Sequence, residues 1–309
     1  MFLLGIQHSR RIGVPTSLLA AVIMLAPGAT VRAQDEREAA ENRGSDAELD
    51  SEHLFGFTEG SDIGVAGEKE LEQETTGRLG KRGGSFRAFD PTLTLKLPLT
   101  NDFRLAPGVS FYGYDTPPAV GLPARTTGGF NGAFLETRVR LLDRRTAPLG
   151  LTLNIVPSIG TADPVYGYKS RTYGTEAGLL LDHELIPGRL IAAANFNYAF
   201  ASTRRTATNE RALGSGLEVS GALAYQSQPG FFLGGEVRYA RAYDGVALDQ
   251  FTGEALYLGP TIYHVLSKRA WVSFAWNYQL AGHAVGEPGR RDLSNFDRHQ
   301  LRLRIGYSF

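Results

Sequence analysis

The sequence predicts an all-β fold: a transmembrane antiparallel up-and-down β-barrel of about 12 strands behind a disordered acidic N-terminal extension. Three observations carry this reading. Along residues 68–309, apolar and polar residues alternate in one segment after another, the period-two pattern of a strand with two unlike faces. The connections between these segments alternate between short and long. The chain closes on Leu301, Leu303, Ile305, Tyr307 and Phe309, interleaved with Arg302, Arg304, Gly306 and Ser308, so one face suits lipid and the other suits water.

In chain order, residues 1–33 read as an export signal. Arg10 and Arg11 supply the positive region, 14–26 the apolar stretch, and Val31-Arg32-Ala33 the small-residue cleavage site. Pro15 and Pro27 bracket an apolar stretch shorter than the roughly 20 residues of a spanning helix, so the mature chain is expected to begin at Gln34. Residues 34–67 form an acidic periplasmic extension. Its first half, with Asp35, Glu36, Glu38, Asp46 and Glu48, has no apolar period and is expected to be disordered. Its second half, 54–64, is richer in apolar residues and glycine and is able to fold into the barrel mouth; it lacks the spacing of a calcium-binding loop.

From 68 onward the segments run 68–79, 86–99, 102–114, 130–142, 148–160, 172–185, 189–202, 214–227, 231–243, 254–266, 270–281 and 298–309. Each meets the roughly 9 to 11 tilted residues that cross a bilayer. Short turns fall at 100–101, 143–147, 186–188, 228–230 and 267–268, and longer connections at 115–129, 161–171, 203–213, 244–253 and 282–297. With both termini in the periplasm, every long loop lies outside. The loop 282–297, with Gly286-Glu287-Pro288-Gly289, is by its length the first candidate to fold inward.

Parity sorts the faces. The outer wall takes Leu93, Leu95, Leu97 and Leu99, then Leu149, Leu151, Leu153 and Ile155, then Val272, Phe274, Trp276, Tyr278 and Leu280. Phe103, Tyr225, Phe231, Trp271 and Tyr307 form a candidate periplasmic aromatic girdle, and Phe111, Tyr198, Phe200 and Tyr243 an external one. The lumen receives Glu70, Glu72, Glu74, Asp90, Lys96, Arg104, Glu136, Arg138, Arg140, Glu176, Asp182, Glu218, Glu236, Arg238, Arg302 and Arg304. Closing the first segment on the last sets Glu70, Glu72 and Glu74 beside Arg302 and Arg304, a charge match that helps fix register.

Composition excludes several classes. Basic and acidic residues number 32 each, with no basic arm for nucleic acid, and cysteine is absent, which removes disulfides and thiolate metal sites. No nucleotide or zinc-protease motif occurs, so no cofactor and no metal is expected. In Asp182-His183-Glu184 the histidine points away from both carboxylates on a strand, so the triplet does not chelate as one unit.

The ending from Leu301 to Phe309 resembles the C-terminal signal of Gram-negative barrels: a terminal Phe, an aromatic two residues before it, and apolar residues at Ile305, Leu303 and Leu301. That resemblance implies an outer-membrane location and insertion by the barrel assembly machinery. Residues 56–64, the 68–84 segment with Leu71-Glu72-Gln73-Glu74-Thr75-Thr76, and Leu141-Leu142-Asp143-Arg144 resemble an uncharacterised group of proteobacterial outer-membrane barrels. This implies a fold and a place, and no chemistry.

Three functions are open at this point. A charged lining suits a passive channel for small solutes, whose mixed sign gives no strong ion preference. The same charges, paired across the lumen, suit an occluded barrel with a structural or surface-binding role. A lipid-modifying enzyme needs a Ser and a His in reach of each other, and Ser294 with His283 or His299 is the available set. The basic pairs Lys81 and Arg82, Lys169 and Arg171, Arg204 and Arg205, and Arg290 and Arg291 suit lipopolysaccharide phosphates. The strand pattern is the same for a monomer and a trimer, so the oligomeric state stays open.

Overall fold

Strand alternation of this kind hydrogen-bonds into a sheet, and in lipid the sheet must close so that no edge is left unpaired. The computed structural model, which describes residues 50–81, 84–116, 124–163 and 167–309, is such a closed barrel of twelve antiparallel strands. The strands are β1 Glu70–Lys81, β2 Gly84–Pro98, β3 Phe103–Thr116, β4 Arg125–Leu142, β5 Gly150–Ala162, β6 Lys169–Ile186, β7 Leu190–Arg205, β8 Arg211–Gln228, β9 Phe231–Asp244, β10 Gln250–Val265, β11 Ala270–Ala284 and β12 His299–Ser308. Each pairs with its chain neighbours, and β12 returns to β1 with Glu74 opposite Arg304 and Thr76 opposite Arg302. The signal segment, residues 34–49 and Arg82 lie outside the described residues.

At the short-turn end the strand limits fall within about two residues of those read from sequence. At the other end the strands run further. β4 begins at Arg125 rather than 130, β8 at Arg211 rather than 214, and β10 at Gln250 rather than 254. The connection between β7 and β8 is consequently only 206–210. Above the apolar band both faces of a strand meet water, so the apolar alternation fades although backbone pairing continues, as at Thr203 opposite Ala212.

The barrel is inside-out relative to a water-soluble sheet. Exposed large apolar groups cover the outer wall, among them Leu93, Phe196, Val219, Val237, Leu258, Phe274 and Ile305, while Asn195, Ser220, Asn277 and Gln279 are buried inside. This is the distribution a bilayer imposes. One aromatic departs from the girdle assignment. Trp271 points inward, 6% exposed, because Val272 and Phe274 hold the outward parity of β11. Its Nε1 donates to Glu70 Oε2 at 2.8 Å, and its ring lies over Gly306, where a Cβ would come within 2.2 Å of the indole. A buried tryptophan is accommodated by such a partner and such a gap.

Val219 lies mid-strand on the lipid face of β8. Val219→Arg is expected to lower barrel stability by about 2–4 kcal/mol, measured by denaturant titration in lipid vesicles. Equal stability of the variant would remove this wall from the membrane.

Candidate functional site

Residues 50–64, part of the 34–67 extension in the sequence reading, lie within the short-turn half of the lumen. The segment has no strand period, and its glycines let it pass close to the wall. A Cβ at Gly56 would sit 2.4 Å from both the Ala275 Cβ and Glu236 Oε1. Leu54, Phe55 and Ile63 are buried, the first two in a cluster with Ile191, Ala193, Ala222, Ala224, Phe232, Tyr263 and Trp271. Lumen-facing alanines on β7 and β8 leave the room that these two side chains fill.

Charges do the rest of the anchoring, and they work in both directions. Glu52 of the plug reaches Lys96 Nζ and Arg104 Nη1, each at 2.6 Å. Glu59 pairs with Arg138 and, at 3.4 Å, with Arg302; Asp62 meets Arg144 Nη1 at 2.6 Å. Conversely, wall carboxylates accept the plug's backbone N–H groups. Glu236 Oε2 takes those of Phe57 and Thr58 at 2.8 Å, and Asp182 Oδ2 takes that of Ser61 at 2.6 Å. Asn195 accepts from Glu59 N at 2.7 Å and donates to Glu59 O at 2.8 Å. The Phe57 ring has the Arg238 guanidinium 4.1 Å and that of Arg302 4.9 Å from its centroid. Contacts therefore run round the lumen wall, from β12 and β2–β4 through β6 and β7 to β9 on the far side.

His53 sits at the hub of this network, its ring 4.0 Å from that of Trp271. Nδ1 faces Asp50 at 2.8 Å and Nε2 faces Glu70 at 3.2 Å, with Lys96 Nζ 3.0 Å away. Burial alone would lower its pKa, but the carboxylates of Glu70, Asp50 and Glu52 outweigh burial and the opposing Lys96 and raise it to about 10. Burial likewise opposes ionisation of Glu52, yet Arg104 and Lys96 hold it well below the usual carboxylate range. The plug is thus docked with His53 charged and Glu52 ionised.

Outward of the plug, two adjoining cavities of about 120 and 170 Å³ occupy the lumen. Both are bordered by Glu59, Glu74, Glu176 and Arg302. Arg238 makes a two-pronged bond to Glu218 at 3.0 and 2.8 Å, and Arg78 Nε pairs with Asp90 at 2.8 Å. The loop after β11 does fold inward. Asp292, Phe296 and Asp297 are buried, and the Tyr257 hydroxyl and Gln279 amide donate to the Asp297 carbonyl at 2.6 and 3.2 Å.

All sixteen charges assigned to the lumen point inward, but they are sorted by partner. Lys96, Arg104, Arg138, Asp182, Glu236 and Arg302 hold the plug directly, and Arg140 approaches Asp62 at 3.8 Å. Glu136 bridges Arg104 and Arg138. At the seam Arg304 reaches Glu72 at 3.0 Å and Arg302 reaches Glu74 at 3.3 Å, while Glu70 turns instead to Lys96 at 3.0 Å and to Trp271. Asp90, Glu176, Glu218 and Arg238 line the outer cavities. The residues that periodicity missed are Glu52, His53, Glu59 and Asp62; their signal was an apolar, glycine-rich stretch set among charges.

The other candidates separate. Ser294 donates to Glu287 at 2.5 Å, and His299 stacks on Trp276 at 6.0 Å, so the two do not form a nucleophile and base. His183 is exposed on the outer wall while Asp182 is buried inside. His53, Glu70 and Glu72 are spaced as metal ligands, but the Lys96 ammonium, within 3.0 Å of each, already takes the cation's place. Lys81, assigned to an outer basic pair, is buried at the rim, where its ammonium donates to the carbonyls of Ser294 and Asn295.

Because the His53 pKa is raised, its contribution to docking is complete below its ordinary value of 6.5 and is lost as pH rises through about 10. Trp271 reports this. In a Trp276→Phe background, Trp271 emission is expected to shift between pH 9 and about 11, and His53→Gln to abolish the shift. Emission constant throughout would contradict a charged His53.

The COG4313 outer membrane channel from Pseudomonas putida F1 superposes with a TM-score of 0.57 at 12% identity, covering 81% of this chain and 98% of that one. The NanC porin gives 0.47 at 10% identity over 77% and 98% of the chains, and the β domain of the Bordetella autotransporter BrkA 0.49 at 11% over 78% and 99%. No curated protein sequence matches. The fold is that of outer-membrane β-barrels. A family model described as "Family of unknown function (DUF6662)" matches residues 47–309, plug and barrel together, and the chain belongs to that family.

Proposed function

We propose that this protein is an outer-membrane channel for small solutes, exported with loss of residues 1–33, whose lumen is closed by the plug 50–64. The observation that carries the reading is the plug's attachment. Its polar contacts are ion pairs and backbone hydrogen bonds that water or a polar solute can replace, and cavities of about 120 and 170 Å³, roomy enough for water, already lie on its outer side. The similarly folded COG4313 protein is named as an outer membrane channel, which supports the same reading here. Both signs of charge line the cavities, so the channel is expected to discriminate weakly between anions and cations.

A second reading, a permanently closed barrel with a structural or surface-binding role, is favoured by one feature, the packing of Leu54 and Phe55 against Phe232 and Trp271. Planar-bilayer recording separates the two. The mature chain is compared with a variant lacking 34–64, each first checked for the heat-dependent gel mobility of a folded barrel. The channel reading expects brief openings from the mature chain and steady, larger conductance from the truncated one, altered further by Arg238→Gln. If both fold and both are silent, the closed-barrel reading stands.

A further inference from the structure

On the outer wall of β6, β7 and β8, three arginines fall in one row. Arg171 lies directly opposite Arg204, and Arg204 directly opposite Arg211. All three are exposed and share the outward parity of Tyr173, Phe200 and Val219. Lys169 precedes Arg171 by two residues on the same face. Directly opposed side chains of an antiparallel pair start from Cβ atoms about 4.5–5.5 Å apart, and like charges so placed repel.

Nothing among the described residues neutralises the row. The one side-chain partner within it is the Ser202 hydroxyl, which accepts from Arg211 Nε at 2.9 Å. Arg241 shows what a compensated arginine on this wall looks like. It faces Glu254 across the strands, with Nε 3.8 Å from the carboxylate. Three other basic groups of these loops are engaged: Arg205 with Asp163 at 3.8 Å, Arg291 with the Gln279 carbonyl and Tyr278, and Lys81 at the inner rim.

Height along the barrel supplies the second observation. Phe200 lies four residues below Arg204 on the same face of β7, and Tyr173 two below Arg171 on β6. A strand rising about 3.4 Å per residue and tilted by about 45° climbs about 10 Å in four residues. The guanidinium groups therefore lie just above the apolar band, at the depth of lipid headgroups on the long-loop side.

We propose that Arg171, Arg204 and Arg211, with Lys169, form a binding site for the phosphate groups of lipopolysaccharide in the outer leaflet. A planar guanidinium grips phosphate oxygens two at a time, and an anion seated across the row turns mutual repulsion into shared attraction. The acyl chains of the same molecule lie along the apolar wall below, over Phe200, Tyr173 and Val219. A free phosphate lacks that second contact.

The test uses the full mature protein refolded in detergent and its Arg171→Gln/Arg204→Gln/Arg211→Gln variant, both confirmed as folded by heat-dependent mobility. Each is titrated with deep-rough lipopolysaccharide, dephosphorylated lipid A and inorganic phosphate, reading retained lipid by native mass spectrometry and the shift in melting temperature. Lipopolysaccharide should bind the wild type at least about tenfold more tightly than the triple variant, the scale of one charge-assisted hydrogen bond. Arg241→Gln should bind like the wild type. Without lipid, the triple variant should melt higher than the wild type, since the repulsion is gone. Equal lipopolysaccharide affinity in the triple variant overturns the proposal, as does undiminished binding of dephosphorylated lipid A. Tight binding of inorganic phosphate, with no added benefit from the lipid, would make this a free-anion site and overturn the lipid assignment.

Discussion

Lipid offers no hydrogen bonds, so every backbone amide at membrane depth must find its partner within the sheet. That constraint closes β12 onto β1 and turns the large apolar side chains outward. It also sends the charges into a space too narrow to hydrate each of them freely, because a barrel of about twelve strands lies between one filled by its side chains and a wide pore. The lumen's ion pairs follow from this confinement. Arg238 with Glu218, Arg104 with Glu136 and Arg304 with Glu72 are pairs on adjacent strands of the lumen wall that each remove a buried charge from isolation.

Pairing within the wall leaves a remainder, and the plug meets it. Lys96, Arg104, Arg138, Arg144 and Arg302 converge on the short-turn half of the lumen, and Glu52, Glu59 and Asp62 enter among them. Glu236 and Asp182 have the Asn277 amide and Arg144 as wall partners, and the plug's own backbone N–H groups supply the rest of their hydrogen bonds. A segment without secondary structure suits this task, since only an irregular backbone presents its amides sideways to a wall.

The parts legible in the sequence are those that lipid enforces. Alternation located all twelve strands, and at the short-turn ends nearly to the residue, because there the strand leaves lipid abruptly at turns such as 186–188. At Arg125 and Arg211 the strand continues in water, where neither face has to be apolar, and the pattern ends before the pairing does. Trp271 was misplaced because aromatic character near a strand end suggests an interface, whereas parity and the empty space over Gly306 decide the matter. Glu52 and Glu59 were invisible for a different reason. Their partners are 44 residues away at Lys96 and 79 at Arg138, and no period relates an irregular segment to the strands that enclose it. Lys81 pairs with a neighbouring arginine in the chain but with the loop after β11 in space, which a list of basic doublets does not reveal.

The balance of forces on the plug bears on whether such a segment can leave. Buried ion pairs contribute little net stability, since desolvation cancels most of their attraction, though breaking one partner alone is costly. Leu54 and Phe55, buried among Ile191, Phe232 and Trp271, each contribute roughly 1.5–3 kcal/mol of apolar burial. The charged contacts thus set where the plug sits, and a small apolar foot sets how firmly. On the channel reading proposed above, such a segment would release as a unit: water rehydrating both partners of each pair together bypasses the costly half-broken states, and the foot at Leu54 and Phe55 is what resists.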